Sequence, residues 1–377
     1  MFDSRIIRIV ATEVLVPARA GYVDRPAFGD SIFDKTSKWI VELHAENGLV
    51  GIGETERGCG GSAVRWAAEQ IVGRTLRALR WQEPLPPDLR GSDMFGHTEP
   101  PVPHRLHEIP LPQSAAATAF RIAVSDLWGQ ALGLPVHALL GVACRTEVAV
   151  GWWFGRSDPA HAAQQMQVGL ALGFTSVKFK AAAEDDIPGI VQAVRSVAGP
   201  EALIIIDPNR RFYRLAETLE IARALEPFDR LIFEDPFPFH AGEWQLFRQK
   251  SKIPLALHGQ AAAQLLSGSE RSFDFVNLGG AHFLFEAQLA WRQHLGCWYG
   301  SGLELGILDA WILHHAAVAP ACTLPNDAGH RIREDDLIAE TLEVREGLMR
   351  VPETPGLGVT LDQDALQHYA INSFEVR

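Results

Sequence analysis

The chain has 377 residues, of which 47% are hydrophobic and 21% charged, with a formal net charge of −12. That length exceeds what one hydrophobic core fills, so two structural units are expected, and the apolar content excludes a disordered chain. The acidic balance, with no Lys/Arg-rich run, excludes a nucleic-acid partner, and four cysteines (Cys59, Cys144, Cys297, Cys322) without CxxC spacing point to reduced thiols instead of a zinc knuckle or disulfide framework.

Asp3, Arg5, Arg8 and Glu13 interrupt the apolar pattern of the N-terminus, which excludes a secretory h-region or a membrane span, so a cytoplasmic location with no membrane partner is expected. Residues 5–16 and 38–45 read as strands, and Glu46-Asn47-Gly48 before Val50-Gly51-Ile52-Gly53 signals a tight turn, so an antiparallel meander is predicted. Residues 59–80 and 115–140 show Ala-rich helical periodicity, with Pro84, Pro86 and Pro87 marking the gap. Residues 1–144 are therefore expected to form an α+β unit.

From Glu147 short apolar strands alternate with amphipathic stretches. Strands are predicted at 147–154, 175–180, 202–207, 231–235, 254–258, 273–278, 297–301 and 321–325, with helices such as Leu215–Leu225 and Glu304–Ala319 between them. Starts spaced by roughly 20–28 residues are one βα unit each, and eight units describe a (β/α)₈ TIM-type barrel over residues 145–340. A doubly wound open sheet would call for a Gly-rich phosphate turn after its first strand, and Gly151-Trp152-Trp153-Phe154-Gly155 is not one. After residue 340 the pattern is hairpin-like, with Leu342–Arg345 and Leu348–Val351 flanking Glu346-Gly347; residues 341–377 are expected to pack back on the capping unit.

Barrel chemistry gathers at the C-terminal ends of the strands. Strand two ends in Lys178-Phe179-Lys180, strand three in Asp207-Pro208-Asn209, strand four in Glu234-Asp235-Pro236 and strand five in His258-Gly259-Gln260. Alternation sends Lys178 and Lys180 to one face. Asp207 and Glu234 each close an apolar run, where a carboxylate is costly unless it is paired or binds a cation. Either each acid salt-bridges a barrel lysine, or a hard divalent ion relieves their mutual repulsion; the register across successive strands favours the ion.

The chain resembles the enolase superfamily, in its mandelate racemase and muconate lactonizing enzyme branch, from about residue 5 to residue 370. The likeness rests on Trp39-Ile40-Val41-Glu42-Leu43, Asn47-Gly48-Leu49-Val50-Gly51-Ile52-Gly53-Glu54, Asp126-Leu127-Trp128-Gly129-Gln130-Ala131-Leu132-Gly133-Leu134-Pro135 and Leu139-Leu140-Gly141. It continues through the Lys-x-Lys, Asp-x-Asn and Glu-Asp-Pro strand ends to Asp335-Asp336-Leu337-Ile338 and Pro355-Gly356-Leu357-Gly358-Val359. The resemblance implies a capping domain formed by N- and C-terminal segments over the barrel. It implies Mg²⁺, with Mn²⁺ an alternative, holding a small-molecule carboxylate substrate while a base removes the α-proton and an enediolate forms. Asp207 and Glu234 match the first two metal ligands, His258 stands at the third, and Lys178 and Lys180 match the Lys-x-Lys catalytic positions. Family members are commonly dimers or octamers, so a homo-oligomer is expected.

The pattern departs from the family at three places. His258 replaces the usual oxygen ligand, with Gln260 a second candidate; strand six, ending Phe275-Val276-Asn277-Leu278-Gly279-Gly280, lacks the lysine of muconate lactonizing enzymes; and strand seven, Tyr299-Gly300-Ser301-Gly302, lacks the histidine base. Asp274 reads as a strand-start residue more than as the surviving half of a His/Asp dyad. One base suits dehydration of an acid sugar or related hydroxy acid, with Lys180 as base, better than racemisation, epimerisation or cycloisomerisation; a silent carboxylate-binding homologue is the third reading. Asn209, Gln260, Ser301, Asn326, Trp152 and Arg25 are the candidate substrate-binding residues, Trp152 as a pocket wall and Arg25 as a partner for a distal carboxylate. His314-His315 forms no HExxH pair, so a helix-surface or interface position is expected for it.

Overall fold

The computed structural model describes residues 2–20, 22, 37–79, 115–258, 271–300 and 304–377. An antiparallel sheet is built from β1 (Ile6–Val14), β2 (Lys38–Ala45), β3 (Val50–Glu54) and, from the far end of the chain, β14 (Ala370–Val376), in the order β14-β1-β2-β3. Ile9 and Ala11 of β1 with Val41 and Leu43 of β2 turn one face onto a buried cluster that includes Ala119, Phe120 and Ala123 of the helix Ala115–Leu132. The Gly-x-Gly of β3 exists for this contact: a Cβ on Gly53 would stand 1.9 Å from the Ala119 carbonyl oxygen, so only a bare backbone admits the helix. Asp126 ties three segments together by accepting the Ile52 amide at 3.0 Å and the Leu357 amide at 2.9 Å.

The second sheet carries the barrel. β4 (Glu147–Phe154), β5 (Val177–Lys180), β6 (Ile204–Asp207), β7 (Leu231–Glu234), β8 (Leu255–Leu257), β9 (Phe275–Leu278) and β10 (Gly296–Tyr299) are parallel neighbours in chain order, and β11 (Asn326–Asp327) lies parallel beside β4. A parallel bridge between Cys297 and Cys322 joins β10 to the run leading into β11, so eight strands surround one lumen, an α/β barrel. The helices between them carry their own start signals. Asp158 accepts the His161 amide ahead of Pro159, and Asp186 accepts the Gly189 amide ahead of Ile187-Pro188, which satisfies donors that a helix leaves open at its start.

Three expectations are corrected. The eighth strand is Asn326–Asp327, not 321–325, whose only strand-like contact among the described residues is the bridge at Cys322; a β-ladder here waits until Pro325, which has no amide to donate, is passed. The hairpin of β12 (Val344–Arg345) and β13 (Leu348–Arg350), turned by Glu346 and Gly347 at positive φ, pairs antiparallel with β4 of the barrel; β14 alone of the C-terminal strands joins the first sheet. His314 and His315 are both buried, at 0% and 6% exposure, in the helix Gly306–Val318. His314 Nε2 lies 3.0 Å from the Leu357 oxygen, and its Nδ1 accepts the His137 amide at 3.2 Å.

His315 Nδ1 lies 3.0 Å from the Trp311 carbonyl oxygen, and burial pushes its pKa down to about 3. A histidine whose folded pKa is depressed contributes stability that is complete above its unfolded value and is lost as pH falls through the window from about 6.5 to about 3. The stability advantage of the native chain over His315→Gln should therefore shrink by about 2–3 kcal/mol between pH 7 and pH 4.5, since a tenfold change in proton affinity corresponds to about 1.4 kcal/mol. Chemical denaturation at the two pH values measures this; a constant difference would mean that His315 is not held neutral.

Candidate active site

Register fixes which side chains look into the lumen, because residues two apart on a strand share a face. Lys178 is paired with Ile205 and Lys180 with Asp207, while Ile205 is paired with Ile232. Ile205, Ile232, Ala256 and Trp298 pack as a separate buried cluster, the apolar floor of the lumen. The next inward residue on β6 is Asp207, on β7 Glu234 and after β8 His258, so the lumen turns polar at the C-terminal ends of the strands.

This polar layer is built of cross-strand ion pairs. Lys180 Nζ contacts Asp207 Oδ2 and donates to Asn209 Oδ1 at 2.8 Å. Lys178 Nζ contacts Asp327 Oδ2 and stands 3.3 Å from Glu234 Oε2 and 5.8 Å from the Trp298 ring centroid. Asn277 Nδ2 donates to Glu234 Oε1 at 2.5 Å, and His258 Nδ1 lies 3.6 Å from that same oxygen. Asp235, buried beside Glu234, accepts the His258 amide at 2.9 Å and so holds the end of β8 in place.

Burial and charge set the protonation states. Burial alone would lower Lys178, but Asp327, Glu234 and Asp207 outweigh it and hold its ammonium above the ordinary lysine value. Burial likewise opposes ionisation of Asp207, yet Lys180 and Lys178 bring its pKa below the ordinary carboxylate value. Burial and then the charge of Asp207 push Glu234 up to about 7, a sign that the two acids feel each other. Burial lowers His258 to about 4 and leaves its imidazole neutral. The backbone is strained here as well: Asn209, Arg210 and Asp235 take φ of 47°, 69° and 42°, a region costly for non-glycine residues and found where surroundings fix a site.

The structure brings Lys178, Lys180, Asp207, Glu234, His258 and Asn209 together. It places two other predicted residues elsewhere. Trp152 pairs with Val177 and faces outward, packed on Phe174 and Gly169, whereas its neighbour Trp153 shares the register of Lys178 and faces the lumen. Asn326 spends its amide on the barrel wall, accepting the Tyr299 amide at 2.7 Å and donating to the Ala149 oxygen at 2.9 Å. Arg25, Gln260 and Ser301 lie outside the described residues. Asp274 pairs with Arg248 at 2.6 Å, away from the lumen. Sequence reasoning missed Asp327 and the part played by Asn277. The signal for Asp327 was alternation: once β11 starts at Asn326, residue 327 takes the opposite face.

A hard cation fits the donor chemistry of the two acids. Glu234 Oε2 is buried and accepts no hydrogen bond despite the nearby Lys178, and the neighbouring Asn277 Oδ1 is likewise buried without a donor; unsatisfied acceptor oxygens are what such a cation binds. Among the described residues no three His, Cys, Asp or Glu side chains gather at metal-ligand spacing, so His258 stands beside Glu234 without completing a cluster with both acids.

Parallel strands that deliver lysines and acids to one end of a barrel, beneath an α+β sheet that the C-terminus completes, define an enolase-type architecture. The chain belongs to the Enolase C-terminal domain-like family, which matches residues 160–265 and 272–365, and to the mandelate racemase/muconate lactonizing branch of the enolase superfamily. It is 27% identical over 390 residues to muconate cycloisomerase 1 of Rhodococcus opacus, covering 99% of this chain and 100% of the relative. It is 26% identical over 370 residues to a probable glucarate dehydratase of Streptomyces coelicolor, covering 88% and 84% of the two chains. The crystal structure of an N-succinyl Arg/Lys racemase from Bacillus cereus superposes with a TM-score of 0.77 at 21% identity, covering 99% of this chain and 100% of that one. The chain is thus an enzyme of a superfamily of lyases and isomerases whose shared chemistry is proton abstraction and whose metal is Mg²⁺. Among the described residues no helix is long and apolar enough to cross a membrane.

Proposed function

We propose that this enzyme removes the proton α to a carboxylate, with Lys180 as the base, and that the reaction is dehydration of an acid sugar or related hydroxy acid. The observation that carries the reading is the unequal setting of the two lumen lysines. Lys178 lies between two carboxylates, Asp327 and Glu234, and stays an ammonium; it can attract the substrate carboxylate or donate to a departing hydroxyl, and it cannot serve as a base. Lys180 pairs with Asp207 and donates to the neutral Asn209. A divalent cation, Mg²⁺ or Mn²⁺, held by Asp207 and Glu234 with His258 beside them, would supply positive charge against the substrate carboxylate as negative charge develops there.

The opposite wall supports a one-base reaction. β9 carries no lysine and turns Asn277 to the lumen, and Trp298 and Gly300 follow on β10 and past its end. Elimination needs one base and one proton donor, whereas racemisation needs a base on each face. The amides of Asn209 and Asn277 offer hydrogen bonds suited to a hydroxylated substrate.

A second reading, a homologue that binds a small carboxylate without turnover, draws on the pairing of each acid with a lysine. One experiment separates the two: incubate the protein with Mg²⁺ or Mn²⁺ and a panel of acid sugars in D₂O, and follow α-deuterium incorporation and loss of water by NMR. Turnover or exchange with at least one acid sugar is expected. Metal-dependent thermal stabilisation without exchange of any substrate would favour the binding homologue, and neither effect would remove the cation from the reading.

A further inference from the structure

The barrel wall is thinnest where it closes. Neighbouring parallel strands elsewhere in the ring share two to four paired residues, but among the described residues β10 meets the run before β11 at the single bridge between Cys297 and Cys322. The bridge is held by the Cys297 amide on the Ala321 oxygen at 2.7 Å and the Thr323 amide on the Cys297 oxygen at 3.1 Å. Partners in such a bridge lie about 4.8 Å apart and project their side chains to the same side, within the spacing of about 4.4–6.8 Å that a disulfide spans between Cα atoms. Trp298 takes the lumen face, so Cys297 points into the layer between strands and helices. The two thiols, 0% and 5% exposed, hydrogen-bond each other. Cys322 Sγ also donates to Asn326 Oδ1 at 3.2 Å, the same oxygen that accepts the Tyr299 amide.

We propose that Cys297 and Cys322 form a peroxide-sensitive modification site, at which oxidation to a disulfide closes the barrel seam covalently. Cys322 is the less buried of the two thiols, 5% against 0% exposed, so its sulfur is the one that meets the oxidant, losing its proton as it attacks. Its sulfur takes one oxygen of hydrogen peroxide as the O–O bond breaks, giving a sulfenic acid and releasing hydroxide, which the departing thiol proton turns into water. The Cys297 sulfur then displaces the hydroxyl from the Cys322 sulfur; the S–S bond forms and a second water leaves. Two thiols are oxidised by two electrons and one peroxide is reduced to two waters. Disulfide formation removes the Cys322 donor from Asn326, one residue from the Asp327 that holds Lys178. This inference is independent of the reaction proposed above.

The test treats the intact protein with hydrogen peroxide, unfolds it in iodoacetamide and maps the peptides. Trypsin leaves both cysteines in one peptide, residues 293–331, and further cleavage at Glu304 separates them. After peroxide the two fragments should remain joined and unalkylated, dithiothreitol should free both, and Cys59, which burial pushes up to about 12, should alkylate throughout. The oxidised protein should melt several degrees above the reduced one, as expected when a loop of that length is closed. In Cys297→Ser, or in Cys297→Ala if the serine variant folds poorly, the linked fragments should be absent. Both thiols alkylating after peroxide as they do before it, or Cys322 advancing to sulfinic acid beside a free Cys297, would overturn the proposal.

Discussion

Lys180→Ala should lower α-proton exchange by about 10²–10⁴-fold, the usual contribution of a positioned general base, while binding of the divalent cation survives. The second half of the expectation follows from the ion pair. Asp207 is 1% exposed and its carboxylate contacts Lys180, so removing the ammonium leaves a buried charge with less compensation, a loss of about 3–5 kcal/mol when one partner of such a pair is deleted. Without metal the variant should melt well below the native chain, and Mg²⁺ or Mn²⁺ should raise its Tm by more than it raises that of the native chain, because the cation takes over the neutralising role. NMR exchange in D₂O and thermal scans with and without metal read the two effects separately. Exchange at the native rate would take the base away from Lys180, and a Tm indifferent to metal would take the cation away from Asp207.

Asp327→Ala should destabilise the fold by about 3 kcal/mol, since it strips Lys178 of its closest carboxylate while the ammonium stays buried. Glu234, at 3.3 Å from Lys178, limits the loss. Pairing the change with Lys178→Met removes the stranded charge, so the double variant should recover most of the stability although it cannot recover catalysis. Denaturant midpoints of the two single variants and the double variant close this cycle; purely additive losses would show that the contact contributes nothing to folding.

The strand ends were legible in the sequence because a polar residue closing an apolar run such as Leu203–Ile206 marks where a buried strand reaches the barrel mouth, and alternation alone put Lys178 and Lys180 on one face. Gly51 and Gly53 were legible as part of a family pattern, but the backbone approach of the helix Ala115–Leu132 that demands them shows only in three dimensions. Asn326 and Trp152 misled for different reasons. The eighth strand starts later than expected, and a start misplaced by an odd number of residues turns every side chain to the wrong face; the first strand was placed correctly, but its bounds alone do not say which of two adjacent tryptophans faces the lumen. The burial of His314 and His315 was hidden because the helix Gly306–Val318 is apolar nearly all round, so no periodicity marked a wet side. The matching of each acid with a lysine was one of two readings the residues allowed, and only the register and the contacts show that the pairing occurs.

Glu54 ends β3, yet its two oxygens accept the Leu305 and Leu308 amides at 2.8 and 2.9 Å at the start of the helix Gly306–Val318, and Lys38 holds the same carboxylate at 2.6 Å. A charge from the antiparallel sheet thus serves as the N-terminal cap of a barrel helix, buried where water cannot substitute for either partner. The two modules should consequently melt in one transition, and damage to the outer strands of the first should loosen the rim of the second.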